Sequence, residues 1–176
     1  YIRYIVCFPF TLIKFCCIKI FHINGFMFYP LELFAINSEM SIGKHAKVTL
    51  GKCVRCQSNV RIRARKNAIL RIGDNTAFNN GCIVTCRYNV EIGSGVVFGQ
   101  NVLIYDHDHD FRTEGGIKAK KYKYGQVKIG DNSWIGANTV ILRGTTIGKN
   151  CVVGAGSVLN GNYPDNSVIV QKRETV

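Results

Sequence analysis

The sequence predicts an all-β fold in which the chain winds into a parallel β-helix, and three observations support this prediction. Aliphatic residues recur at every sixth position from Ile129 to Leu159. Glycine directly follows most of them, and small or polar residues such as Ser133 and Thr139 lie four positions after them. A period of six fits neither an α-helix, which repeats about every 3.6 residues, nor a strand, which repeats about every two. Stacked triangular coils fit it, because each hexapeptide forms one side and pairs with the coils above and below.

Residues 134–170 carry this pattern in the sequence WIGANTVILRGTTIGKNCVVGAGSVLNGNYPDNSVIV. This segment resembles the C-terminal part of the hexapeptide-repeat acyltransferases, and the chain is most similar to the maltose, galactoside and polysaccharide O-acetyltransferases of that family. The resemblance implies a left-handed coil, although parallel crossovers in other folds are almost always right-handed. The predicted fold is therefore a left-handed parallel β-helix with an apolar, helical N-terminal segment and one long loop.

Residues 1–35 are predicted to form an apolar N-terminal segment that folds as a helix. Charged residues and Pro9 interrupt it too often for a membrane-spanning helix. On a helical wheel, one arc holds most of its polar residues: Arg3, Cys7, Thr11, Lys14 and His22. This arc predicts either a helix in the membrane interface with its cations toward anionic headgroups, or a cap on the open end of the solenoid. The sequence leaves both alternatives open.

The β-helix domain is predicted to occupy residues 36–170, followed by a C-terminal tail at residues 171–176. An early aliphatic series of period six supports its start: Ile36, Ile42, Val48, Val54 and Val60. The series fails at Lys66, where we predict a bulge, and it slips by two positions in the sequence CRYNVEI. It stops after Ile104, so residues 105–126 are predicted to form a loop inserted at a corner, and a connection this long is usually functional.

The composition narrows the classes of partner. The chain of 176 residues has 23 Lys and Arg against 11 Asp and Glu, a formal net charge of +12. Such an excess favours phosphorylated ligands or an anionic membrane surface, and no nucleic-acid module is visible. The eight cysteines lack the paired spacing of a structural zinc site and are predicted to be small core residues in a reducing cytoplasm. Six cations are predicted to point outward, as a solvated face or as a wall for a phosphorylated or lipid-linked acceptor: Arg55, Arg61, Arg63, Arg65, Lys66 and Arg71.

The inserted loop opens with the sequence DHDHD, which contains two of the four histidines. Histidine suits proton transfer, because its ordinary pKa is close to neutral pH and a neighbouring carboxylate can fix its tautomer. In the similar transferases, one histidine at the start of such a loop is the general base, and no acyl-enzyme forms. Counting five positions from Ile104, as the resemblance directs, favours His109, with His107 as the alternative. A metal site competes for the same residues, but zinc needs more ligands than this loop offers, and no metal is predicted.

The resemblance also implies roles for residues on the repeats. It places Trp134 beside the acceptor, and it places the amide of Ala137 where the oxyanion of the tetrahedral intermediate develops. Acetyl-CoA is implied as the acyl donor, bound in a groove between subunits by six candidate residues: Gly136, Gly154, Ala155, Asn160, Lys172 and Arg173. The candidate acceptor contacts are Asp106, Asp108, Asn79 and Asn80.

These expectations together predict an acetyl-CoA-dependent O-acetyltransferase that acts on a sugar hydroxyl in the biosynthesis of a surface polysaccharide, such as capsule or O-antigen. The resemblance implies a homotrimer, and we expect it in the cytoplasm at the inner face of the cell membrane. Two alternatives remain. One is an N-acetyltransferase that uses the same base and donor on an amino sugar, and the other is a non-catalytic β-helix scaffold.

Overall fold

The computed structural model describes residues 2–171, and the side chains from Cys7 onward. Helix α1 (Ile2–Phe21) precedes the strands. The strands before the long loop are β1 (Phe26–Met27), β2 (Leu33–Phe34), β3 (Glu39–Ile42), β4 (Lys47–Leu50), β5 (Arg55–Cys56), β6 (Arg61–Ala64), β7 (Ile69–Ile72), β8 (Ala77–Phe78), β9 (Ile83–Cys86), β10 (Asn89–Ile92), β11 (Val97–Phe98) and β12 (Leu103–Tyr105). The loop contains β13 (His107–His109), a 3-10 turn (Gly116–Ala119) and β14 (Tyr122–Tyr124). The strands after the loop are β15 (Val127–Ile129), β16 (Trp134–Ile135), β17 (Val140–Ile141), β18 (Thr146–Ile147), β19 (Val152–Val153), β20 (Val158–Leu159), β21 (Asn162–Tyr163) and β22 (Val168–Ile169).

Three parallel sheets form the sides of a triangular solenoid. Sheet A contains β1, β4, β7, β10, β15, β18 and β21, and sheet B contains β2, β5, β8, β11, β16, β19 and β22. Sheet C contains β3, β6, β9, β12, β17 and β20. Each strand pairs in register with the strand one coil further along the chain, so the predicted left-handed parallel β-helix is confirmed.

The coils become shorter along the solenoid. Val48 pairs with Leu70, 22 residues later, whereas Ile129 pairs with Ile147, 18 residues later. The early coils are longer because several of their strands in sheets A and C have four residues, of which two are buried. The predicted bulge at Lys66 is therefore wrong, because the period breaks where β6 has four residues, two more than a strand of the later hexapeptide coils.

The first coil begins ahead of the predicted start of the repeats at Ile36. Strand β1, which opens with Phe26, already pairs with β4, and β2 pairs with β5. The side chain of Ile36 is 52% exposed and does not belong to the core. Val54 and Val60 are fully buried, but they lie at corners that precede strands rather than in the strands themselves. The solenoid thus includes ten residues that the sequence assigned to the N-terminal segment.

Helix α1 covers the open end of this first coil. Phe15 is fully buried, and its ring packs against the rings of Phe26, Phe28 and Phe34, with centroids 4.8–5.3 Å apart. Burial of a phenylalanine side chain contributes on the order of 2–3 kcal/mol. The aromatic cluster therefore fixes the helix across the end of the solenoid, where the core would otherwise be open to solvent.

The polar arc of α1 faces the coil. The hydroxyl oxygen of Thr11 accepts a hydrogen bond from the amide of Phe34 (3.1 Å), and Lys14 Nζ donates to the carbonyl oxygen of Ser38. These side chains satisfy backbone groups of the first coil that have no neighbouring strand on this side. The arrangement matches the capping alternative. Among the described members of this arc, Thr11 and Lys14 are turned toward the protein, and its contact with lipid headgroups stays an untested alternative.

The outward face of α1 carries no charged side chain among the described residues from Cys7 to Phe21. Its exposed residues are Pro9, Phe10, Ile13, Cys16, Cys17, Ile20 and Phe21. Within residues 2–171, no helix has the length and apolarity needed to cross a membrane. The helix is therefore amphipathic, with its polar side toward the solenoid and its apolar side toward the surroundings.

Candidate active site

The inserted loop leaves the solenoid at the corner between sheets C and A. The amide of Gly125 donates a hydrogen bond to the carbonyl oxygen of Asp106 (2.9 Å) and closes the base of the loop. Beyond this bond, β13 and β14 pair as an antiparallel hairpin, in which His107 lies opposite Tyr124 and Asp108 lies opposite Lys123. The loop is thus an ordered hairpin that holds both histidines beside the coil.

Asp106 lies fully buried at the base of this hairpin. Its carboxylate accepts hydrogen bonds from the amides of Arg87 and Tyr88 (2.7–3.0 Å) and from the thiol of Cys86 (3.3 Å). Burial raises the pKa of the Asp106 carboxyl, but the hydrogen bonds from His107 and the two amides outweigh this effect and hold the pKa below its ordinary value. Asp106 is therefore an ionised acceptor at neutral pH.

The Asp106 carboxylate orients His107. Its Oδ1 lies 2.9 Å from Nδ1 of His107, whose side chain is 11% exposed. An ionised carboxylate can only accept, so Nδ1 carries the proton of the neutral imidazole and Nε2 keeps a free lone pair. No hydrogen-bond partner of Nε2 occurs among residues 2–171. This nitrogen is held as a proton acceptor.

His109 has a different environment from His107. Its side chain is exposed, and its ring packs at 4.6 Å from the ring of Tyr122. Within the described chain, no carboxylate or backbone group hydrogen-bonds its imidazole. The two neighbouring aspartates form ion pairs, Asp108 with Arg143 of the solenoid and Asp110 with Lys123 across the hairpin. The local geometry therefore favours His107 over His109, contrary to the count from Ile104.

Four residues that the sequence analysis did not assign surround His107. The guanidinium of Arg87 lies 3.9 Å from the centre of the Tyr122 ring, which is 5.5 Å from the His107 ring. Tyr88 and Tyr124 pack beside them with centroids 6.0 Å apart. The sequence signal for Arg87 and Tyr88 was the two-residue slip of the period in CRYNVEI. The slip marks the coil that places these residues under the hairpin.

Trp134 and the small residues of the repeats lie at another corner. Trp134 is in β16 of sheet B and is 57% exposed. Gly136 and Ala137 follow at the corner between sheets B and C, and Gly154 and Ala155 occupy the same corner one coil later. A Cβ on Gly136 would lie 2.6 Å from the amide nitrogen of Ala155, so only glycine permits this approach of the coils.

The predicted acceptor contacts Asn79 and Asn80 lie at the corner between sheets B and C, away from the hairpin. The side-chain oxygen of Asn79 accepts a hydrogen bond from the amide of Asn80, and that of Asn80 accepts one from the amide of Ser58. These two side chains therefore hold the backbone of a turn. Within one chain they lie at a different corner from His107, and their assignment as acceptor contacts stays a prediction.

The remaining candidates for coenzyme binding are only partly described. Asn160 follows β20 at the corner between sheets C and A, beyond the hairpin along the solenoid. Lys172 and Arg173 lie outside the described residues. Within residues 2–171 there is no cluster of three or more side chains suited to a metal ion.

Comparisons with known proteins place the chain among transferases. The family model for the bacterial transferase hexapeptide, with six repeats, matches residues 126–161. The chain is 35% identical over 99 residues to the galactoside O-acetyltransferase of Escherichia coli, which is 56% of this chain and 48% of that protein. It is 30% identical over 118 residues to a putative lipopolysaccharide biosynthesis O-acetyl transferase of the same organism, which is 62% of this chain and 60% of that protein. The chain thus spans about half the length of the curated relatives that it matches.

A solved structure gives the same result. The hexapeptide-repeat-containing acetyltransferase of Vibrio cholerae superimposes with a TM-score of 0.50 and 26% sequence identity, over 73% of this chain and 64% of that one. The six-residue period, the three parallel sheets and these matches agree: the chain carries the hexapeptide repeats of bacterial transferases and is similar to acetyltransferases of that family.

Proposed function

We propose that the protein is an acetyl-CoA-dependent O-acetyltransferase whose acceptor is a sugar hydroxyl. One observation carries the proposal, the buried Asp106 that orients His107 at the base of an ordered hairpin. The relatives named for galactoside and lipopolysaccharide O-acetylation support a sugar acceptor and a role in surface polysaccharide biosynthesis.

His107 acts as the general base in this proposal. Its Nε2 accepts the proton of the acceptor hydroxyl as that oxygen attacks the thioester carbonyl, and Asp106 stabilises the imidazolium that forms. The same nitrogen then returns the proton to the departing thiolate. The acetyl group passes directly to the acceptor, so no nucleophilic side chain is needed. A general base of this kind contributes about 10²–10⁴ to the rate.

The second half of the site is proposed at the corner of Gly136 and Gly154. The small side chains along this corner permit the pantetheine arm of the donor to approach the backbone, and the amide of Ala137 donates to the developing oxyanion. Trp134 beside it covers the acceptor. Asn160, Lys172, Arg173 and the lysines of the loop are candidates for the contact with the nucleotide phosphates.

A homotrimer follows from this division of the site. His107 lies at the corner between sheets C and A, whereas Ala137 and Trp134 lie at or next to the corner between sheets B and C. In one chain these groups are separated by the width of sheet C. Packing of triangular solenoids side by side places the hairpin of one subunit against the other corner of its neighbour. We therefore propose a trimer with three sites between subunits.

We also propose that the apolar outward face of α1 rests on an anionic membrane, at the cytoplasmic side of the cell envelope. The first coils beside the helix carry exposed cations at Lys44, Lys47 and Lys52. Their acidic residues are not free, because Glu32 is buried and Glu39 is paired with Arg63. Apolar side chains in the interface and cations near anionic headgroups, each contributing on the order of 1 kcal/mol, suit such a surface.

Transfer assays on two matched variants test the catalytic assignment. His107→Ala should lower kcat by about 10²–10⁴ without weakening coenzyme binding, whereas His109→Ala should retain most of the activity. Release of the coenzyme thiol is measured with a panel of nucleotide-linked and lipid-linked sugars, including amino sugars. An inactive His109→Ala beside an active His107→Ala would assign the base to His109. Acetylation of an amino sugar on nitrogen would support the N-acetyltransferase. No thiol release with any acceptor would support the non-catalytic scaffold.

A further inference from the structure

Two arginines lie directly below His107 on the corner between sheets C and A. Ala64 of β6 pairs with Cys86 of β9, so the residues that follow them, Arg65 and Arg87, occupy this corner in adjacent coils. The amide of Arg65 donates to the carbonyl oxygen of Cys86 (2.7 Å), which joins the two backbones. The next coil reaches the same corner at His107. Three successive coils therefore present two guanidinium groups and one imidazole in a column.

Neither arginine has the carboxylate partner that neighbouring cations have. Three nearby cations are paired: Arg63 with Glu39, Lys123 with Asp110 and Arg143 with Asp108. Among residues 2–171, no carboxylate lies within ion-pair distance of Arg65 or Arg87, and Nε of each is buried without an acceptor. A buried donor left without an acceptor is destabilising, so a ligand oxygen that reaches it gains a hydrogen bond. The corner therefore offers two sets of unused cationic donors.

The position of Arg87 relative to the base is fixed. Its guanidinium stacks on Tyr122 at 3.9 Å, and the ring of Tyr122 lies 5.5 Å from that of His107. Stacking on an aromatic face leaves the edge of a guanidinium free for hydrogen bonds in its plane. A group bound by Arg87 thus lies beside the imidazole and not on a remote surface.

We propose that Arg65 and Arg87 bind the diphosphate of the acceptor, so that the acceptor is a diphosphate-linked sugar. The inference rests on the proposed function, because His107 defines where the sugar hydroxyl must lie. Guanidinium groups bind phosphate oxygens with two parallel hydrogen bonds. Adjacent coils are about 4.8 Å apart, so each phosphoryl group meets one arginine. Two sources carry this chemistry, a nucleoside diphosphate sugar and a lipid diphosphate sugar.

Kinetics on matched acceptors test the subsite. Arg87→Ala and Arg65→Ala should each raise KM for the diphosphate-linked sugar by about 10- to 100-fold, with kcat little changed, because one charge-assisted contact is lost. For each variant, KM for the free sugar should rise much less than KM for the diphosphate-linked sugar, and this ratio is the readout. The control Lys128→Ala removes one exposed positive charge from sheet A and should leave KM for both acceptors unchanged. An equal loss with free and diphosphate-linked sugars would overturn the inference.

Direct binding separates the subsite from the reaction. Inorganic diphosphate should bind the wild type in calorimetry, and the double variant Arg65→Ala with Arg87→Ala should not bind it. Diphosphate binding that the double variant retains would overturn the inference even if acetyl transfer is confirmed. Absence of acetyl transfer with every acceptor, beside diphosphate binding that depends on the two arginines, would overturn the proposed function and leave the anion site standing.

A conservative variant and a comparison of two acceptors test the subsite further. Arg87→Lys keeps the charge but loses the planar fork, so it should bind the diphosphate-linked sugar less well than wild type and better than Arg87→Ala. Arg87→Lys also controls for misfolding of the hairpin, because Arg87→Ala removes the contact with Tyr122 and a lysine can keep a cation over that ring. The source is identified by comparing kcat/KM for a nucleoside diphosphate sugar with that for a polyprenyl diphosphate sugar in detergent. A free sugar that outperforms both would overturn the inference.

Discussion

The Asp106→Asn substitution tests whether the buried carboxylate supports both the fold and the base. The carboxylate accepts hydrogen bonds from the amides of Arg87 and Tyr88, the thiol of Cys86 and Nδ1 of His107. An asparagine has the same size but only one acceptor oxygen, and its NH₂ group would face donors. At least one buried amide therefore loses its acceptor, and the charge that strengthens the other hydrogen bonds is lost.

The expected magnitudes follow from these contacts. Each buried donor left without an acceptor costs about 1–3 kcal/mol, so loss of one or two lowers the free energy of unfolding by about 2–5 kcal/mol. For catalysis, an asparagine NH₂ that donates to Nδ1 of His107 forces the proton onto Nε2, which can then no longer accept one. Loss of the correct tautomer lowers kcat by up to about 10⁴.

The matched control is Asp108→Asn, the same chemical change two residues later. Asp108 is half exposed and pairs with Arg143, and a surface pair of this kind contributes about 0–1 kcal/mol. Urea unfolding and thiol release are measured on both variants. Because the pKa of Asp106 is depressed, its contribution to stability is present above its ordinary pKa and is lost as the pH falls. The difference in unfolding free energy between Asp106→Asn and wild type should therefore become smaller toward pH 3. Equal stability and equal kcat for the two variants would refute this reasoning.

Two further predictions concern the N-terminal end. Burial raises the pKa of Glu32 to about 7, although the amides of Tyr29 and Val54 donate to its carboxylate. The stability that this shift contributes is present below the ordinary pKa of a glutamate and is lost as the pH rises through 7, by about 3 kcal/mol in all. Glu32→Gln should therefore flatten the unfolding free energy between pH 5 and pH 8, and an unchanged slope in urea melts would contradict this. For the membrane, Ile13→Asp with Ile20→Asp should abolish co-sedimentation with anionic vesicles but leave transfer to a water-soluble acceptor unchanged. Vesicle binding by the double variant would contradict the proposed contact of this helix face with the membrane.

The period of six predicted the second half of the solenoid better than the first half. From Ile129 to Leu159, each side of the coil is a hexapeptide with one inward aliphatic residue, so the pattern is unbroken. In the early coils a four-residue strand buries two side chains two positions apart, as at Ile62 and Ala64, and the period shifts at each such strand. The first coil was missed for another reason. Its inward residues Phe26 and Phe34 lie in an apolar run that continues from α1.

The sequence predicted the two loop histidines as candidates for the base, but it could not decide between them. The choice depends on Asp106, which is buried because Arg87 and Tyr88 of the preceding coil donate their amides to it. Those residues are 18 and 19 positions earlier in the chain, and a shortened coil brings them under the hairpin. A count along the local sequence carries no information about that stacking. The same stacking produces the column of Arg65 and Arg87, which the sequence shows only as two of many outward cations.

The helical wheel of α1 placed Thr11 and Lys14 on one polar arc and left the direction of that arc undecided. An amphipathic helix on a membrane turns its cations outward, whereas a helix on the end of a β-helix meets carbonyl groups that have no strand beside them. Here Lys14 donates to the carbonyl of Ser38, and Lys19 donates to the carbonyls of Ile23 and Phe26. The amines therefore replace the missing coil, and desolvation lowers the pKa of Lys14 in doing so. Because the polar side is used in this way, the apolar side faces outward, and in the proposed membrane contact the attraction to anionic lipid comes from the lysines of the first coils rather than from Lys14 and Lys19.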